Sequence, residues 1–180
     1  MKTKIALSLF LVLALLMCPE LSQAQTTSTL TTEASRMDKL ATTQGESKVV
    51  DKISSDFNSF LGTDAKAVVS GLRSGTPITL TRTTTATSTT PGTTAVSTTT
   101  TTTITPPTGK MGFGNVFISL ALAKQQLSQY GITQPTSAEL QAALMGGSIT
   151  TTSGTTASTT KMEGILMMRS QYHMGWGQIA

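Results

Sequence analysis

Cysteine is nearly missing from this chain: Cys18 stands alone among 180 residues. No intrachain disulfide can form, so an oxidising compartment would be compatible but unused. Aromatic residues make up 4% and charged residues 12%. Both are low for a packed soluble domain and argue against a large enzyme core. There is one histidine, His173, and all aspartates lie before residue 65. A Ser-His-Asp triad would depend on that single base, and no Gly-x-Ser-x-Gly turn occurs to present a serine. Zinc-ligand spacing and a phosphate-cradling glycine loop are also missing. The net charge of +4 is spread along the chain, with no basic stretch interleaved with aromatics. Nucleic-acid binding is excluded on that ground. The expectation is a protein that is not an enzyme and needs no cofactor.

What the chain does have is hydroxyl groups, with 37 Thr and 19 Ser. They are unevenly placed. Residues 1–24 instead read as a signal peptide: Lys2 and Lys4 come first, then an apolar run from Ile5 to Met17 broken only by Ser8. That run suits a signal peptide and falls short of the roughly 20 residues of a membrane span. Ser22 and Ala24 put small residues at −3 and −1, which predicts cleavage after Ala24. A rival reading lipidates Cys18, but Met17 precedes it where that processing wants a small residue. The processed chain would have no transmembrane span and would be periplasmic or extracellular.

Residues 25–34 are Thr- and Ser-rich without periodicity and read as a disordered start. Residues 35–73 read as an N-terminal helix pair. Val49, Ile53, Phe57 and Phe60 mark one face of the first helix, which stops at Gly62. Ala65, Val68, Val69 and Leu72 mark the second, after Thr63 as N-cap.

Residues 74–109 are dominated by Thr and admit two readings. One is a mucin-like tract or linker, open to O-glycosylation. The other is a β-hairpin, because β-branched Thr favours strands. A turn at Thr90-Pro91-Gly92 would set Ile78 opposite Ile104, Leu80 opposite Thr102 and Ala86 opposite Val96. The few apolar side chains would then share a face.

Residues 110–147 read as a helical hairpin. Asn115 is a good N-cap, and Val116, Leu120, Ala123, Leu127 and Tyr130 form the apolar stripe, closed by Gly131. Thr136 and Glu139 have the spacing of a capping box, ahead of Leu140, Ala143 and Leu144. Residues 148–160 read as a Thr-rich linker, and 161–180 as a short helix followed by a tryptophan loop. The expected class is therefore α+β: mostly helical, with one long Thr-rich β-hairpin, a C-terminal three-helix cluster and a disordered mature N-terminus.

Two segments carry a resemblance. GNVFISLALAKQQL at 114–127, with Gly131-Ile132-Thr133 and Pro135-Thr136 after it, resembles uncharacterised exported bacterial proteins. So does Ile165-Leu166, Arg169-Ser170-Gln171 and the closing MGWGQIA at 174–180. The match covers about residues 112–147 and 162–180, and related chains place glycine where this one has Tyr172-His173. The resemblance implies export and assigns no activity and no catalytic residue.

Two candidate sites remain. Met167, Met168, His173 and Met174 crowd soft ligands that could hold Cu(I); the plainer reading makes them packing residues beside an aromatic ring. Trp176, between two glycines, is either a core plug or a partner anchor. Ser158-x-x-Lys161 fits a Ser-Lys nucleophile only by spacing, inside a tract where Ser is common. The expected function is a non-catalytic envelope-associated or secreted interaction protein, reaching a protein partner through a hairpin edge or the Trp176 loop. The alternative is a small periplasmic binding protein for a ligand or soft metal.

Overall fold

The computed structural model describes residues 20–86, 96–153 and 156–180. It begins with a long helix, α1 (Glu20–Gln44). Residues 25–34, expected to be disordered, are helical within it. Two features explain why. Leu30, Ala34, Met37 and Ala41 recur at helical spacing and pack on the core, with Ala34 and Met37 fully buried. The hydroxyls, meanwhile, bond inside the helix: Thr31 to Thr27 O, Thr32 to Ser28 O and Ser35 to Thr31 O, each at 2.9 Å. Back-bonding of this kind satisfies a Thr side chain without solvent, so a hydroxyl-rich segment can stay helical once one stripe is packed.

The helix expected over residues 35–61 is divided at Gly45 and Phe57 into the end of α1, α2 (Glu46–Asp56) and α3 (Asn58–Leu61). A 3-10 turn at Gly62–Asp64 leads into α4 (Ala65–Ser74). The apolar stripes lie where the spacing puts them. Val49, Ile53, Phe57 and Phe60 are buried, as are Ala65, Val68, Val69 and Leu72. Burying an aliphatic or aromatic side chain of this size is worth about 1.5–3 kcal/mol, which outweighs the poor helix propensity of the β-branched members.

The Thr-rich region is a β-hairpin, β1 (Ile78–Ala86) with β2 (Val96–Ile104). Its register pairs Ile78 with Ile104, Leu80 with Thr102 and Ala86 with Val96, as the residue pattern requires. Ile78, Leu80 and Ile104 are buried while Thr79, Thr81, Thr101 and Thr103 are exposed, so the period of two separates core from water. The proposed turn at Thr90-Pro91-Gly92 lies outside the described residues.

A second hairpin stands where a linker was expected. β3 (Gly147–Ser153) pairs with β4 (Thr156–Met162), Ile149 opposite Thr160 and Gly147 opposite Met162. Ile149 and Met162 are buried. They anchor a strand pair that is otherwise hydroxylic, with Thr150 and Thr159 Oγ1 atoms 3.3 Å apart across it. One apolar side chain per strand is too weak a signal to read as periodicity.

The C-terminal cluster consists of α5 (Phe113–Ser128), α6 (Ser137–Met145) and α7 (Ile165–Ser170), each touching the other two. α6 opens with the full capping box: Glu139 N donates to Thr136 Oγ1 at 3.3 Å and Thr136 N to Glu139 Oε2 at 2.7 Å. α5 differs from its expectation. It starts at Phe113, two residues before Asn115, with Gly112 as N-cap. Its orphan donor Gly114 N is met by Asp38 Oδ1 of α1, at 2.9 Å. A Cβ on Gly114 would lie 2.6 Å from Asp38 Oδ2 and 2.8 Å from Ala34 O, so glycine is what lets the two helices meet. Tyr130, expected on the stripe, is 39% exposed because α5 ends at Ser128 before reaching it. A four-residue helix, α8 (Trp176–Ile179), follows α7. The described residues thus form an α+β, mostly helical fold with two antiparallel hairpins around one core.

Candidate functional site

The side chains with the most chemistry meet where α7, its following turn and α8 come back onto the start of α5. The last turn of α7 carries Arg169, whose Nη1 donates to Met174 O at 3.0 Å. Met174 N in turn donates to Met168 O at 3.2 Å, which folds the turn against its own helix. His173 sits in that turn at φ 53°, the one non-glycine residue with positive φ among those described. A left-handed conformation costs a non-glycine residue about 1–2 kcal/mol, and strain of this kind clusters at functional sites.

Trp176 is held from two sides. Its Nε1 donates to Asn115 Oδ1 at 3.0 Å, and the Arg169 guanidinium lies 5.3 Å from the ring centroid. The indole is half-buried and packs on the core margin. The ring is thus partly covered and partly open. Gly175 N donates to Gln178 Oε1 at 2.8 Å, closing the entry to α8. Asn115, passed over as a helix cap, is therefore the residue that docks the C-terminal segment on α5.

Around this tie is an open cleft of about 420 Å³ whose walls include Lys110, Asn115, Arg169, His173 and Trp176. Thr108 and Ser170 also line it. Their hydroxyl oxygens are buried with no hydrogen-bond partner among the described residues. The lining carries two permanent cations and no carboxylate. Nothing in the sequence advertised this grouping. Residues 108–115 and 169–176 are far apart in the chain, and only the packing of α7 on α5 brings them together.

The soft-ligand residues lie along α7 and the turn after it, where the Met174 N–H donates to Met168 O. Met168 lines a separate cavity of about 250 Å³ with Leu122 and Ile165, while His173 lines the larger cleft. Met167 and Met174 line neither of these two. Among the described residues, no three of His, Cys, Asp and Glu gather as a metal site. A further depression of about 560 Å³ on α1 is walled by Thr and Ser alone. Its Thr31, Thr32 and Ser35 hydroxyls are already bonded to backbone, and no acid, base or nucleophile pair stands there. Ser158 and Lys161 fall on β4. Neighbours three apart on a strand point to opposite faces, so they cannot act as a pair.

Among the described residues, no helix is long and apolar enough to cross a membrane. Compared with models of known families, with curated proteins and with solved structures, the chain matches none.

Proposed function

We propose that this is a non-catalytic exported protein, envelope-associated or secreted, that works by holding another protein chain. Export rests on the leader-like pattern of residues 1–24 and on the resemblance carried by residues 114–127 and 174–180. The observation that carries the binding role is the open edge of β4. Both sheets are two-stranded, and β4 is exposed from Thr156 to Thr159. An unpaired edge offers a row of N–H and C=O groups that an incoming strand can match. Threonine suits that task, because it favours the extended chain without adding an apolar face that would aggregate.

Proline substitution tests this with an internal control. Along β4, adjacent N–H groups alternate between the β3 partner and the open edge. Of Ser158→Pro and Thr159→Pro, one therefore removes a hairpin bond and the other only an outward donor. The reading requires three results. Intact mass of protein from producing cells shows cleavage after Ala24, light scattering shows the envelope-derived chain in a complex larger than its monomer, and the outward proline alone releases it with the hairpin intact. A monomer that fractionates free of the envelope and of any secreted partner would end the proposal.

A further inference from the structure

The cleft beside Trp176 has a one-sided inventory. Lys110, Arg169 and His173 share it with Asn115, and no acidic side chain lines it. Arg169 is fixed by its bond to Met174 O and by the indole beneath it, leaving the other guanidinium donors uncommitted by that contact. Thr108 and Ser170 add two hydroxyls that lack a partner among the described residues. Leaving one such group buried and unbonded costs about 1–3 kcal/mol. Neither oxygen is open to the cleft as it stands, and rotation about χ1 is what would turn each hydroxyl outward to donate to a bound acceptor. The left-handed backbone of His173 places its strain on the same wall.

We infer that this cleft binds a phosphoryl group, as free phosphate or as a small phosphate monoester. Lys110 and Arg169 supply the opposing charge, and Asn115, His173, Thr108 and Ser170 supply hydrogen-bond donors. Three acceptor oxygens match so many donors better than the two of a carboxylate. Pro107 and Met111, which also line the cleft, give it an apolar side against which the organic part of a monoester can rest. No residue of β4 lines the site, and it does not depend on the interaction role proposed above.

Trp176 is the chain's one tryptophan and lines the cleft, so its emission reads occupancy. The full chain is titrated at constant ionic strength with inorganic phosphate, phenyl phosphate and benzoate. The expected result is a saturable change with phosphate, half-complete below about 10 mM. Lys110→Gln and Thr108→Val should each weaken it about tenfold, the loss of one charge-assisted bond, with far-ultraviolet circular dichroism unchanged. Tighter binding of phenyl phosphate assigns the site to a monoester, and equal binding assigns it to the free anion. Both support the inference. No saturation with either phosphate, tighter binding of benzoate, or both variants binding like wild type would overturn it.

Discussion

Asp38 and Gly114, 76 residues apart, share a hydrogen bond of 2.9 Å from the Gly114 N–H to Asp38 Oδ1. The carboxylate of one helix thus caps the first turn of another, where an aligned backbone dipole also favours negative charge. Asp38→Ala should lower stability by about 1 kcal/mol, the usual cost of a lost cap. Asp38→Asn, which keeps an acceptor, should lose only part of that. Urea denaturation of the three proteins measures both; equal stability of Asp38→Ala and wild type would show the bond to be idle.

Among the described glycines, Gly164 leaves the least room for a Cβ beside main-chain atoms. A Cβ there would lie 2.1 Å from both Gly146 N and Met145 C, atoms that cannot rotate away. Gly164→Ala should therefore cost more than about 3 kcal/mol, beyond the usual range for overpacking at a side chain. A thermal melt within a few degrees of wild type would contradict the contact.

Trp176 should emit between buried and fully solvated indole, since its ring is half-covered and its Nε1 is bonded to Asn115. Asn115→Ala should shift emission to the red and raise quenching by acrylamide. Trp176→Phe, which removes the donor and part of the contact, should cost about 1 kcal/mol. Unchanged emission in Asn115→Ala would mean that the tie does not hold the C-terminal segment.

Glu46 provides a pH-dependent contact. Arg73 donates to its Oε1 at 2.5 Å, and this hydrogen bond, with the nearby guanidinium charge, holds the Glu46 carboxyl below its ordinary value. An acid depressed in the folded state stabilises that state when ionised. The contribution is whole above the unfolded-state value and disappears as pH falls through the folded one. The gap in Tm between wild type and Glu46→Gln should be present at about pH 7 and absent by about pH 2. A gap that stays constant across that range would argue against the pairing.

The residue pattern made the helix faces and the first hairpin legible, because each had at least three apolar residues at a fixed period. Ile78, Leu80 and Ile104 sufficed to set the register of a strand pair otherwise made of threonine. The second hairpin had only Ile149 and Met162, and α1 hid its stripe of Leu30, Ala34 and Met37 among hydroxyls that composition assigns to disorder. Composition cannot report that Thr31 and Ser35 bond their own helix. The cleft was illegible for another reason. Lys110, Asn115, Arg169 and Trp176 have no spacing in common, and their meeting is a product of tertiary packing alone. His173 was noticed as a soft ligand, and its place on the wall of this cleft was not legible.

The close approach of Gly146 and Gly164 has a consequence for how this chain can vary. Everything from β3 to β4 leaves and re-enters the core at a point where main chain touches main chain. In polymer terms it is a ring already closed. Lengthening such a ring is cheap, about 0.6 kcal/mol for each doubling, while altering its clasp is not. The hairpin can grow, shrink or change its sequence beyond Ile149 and Met162 without the helices registering it. Here the fold has a place where new recognition can be tried at little cost to the rest.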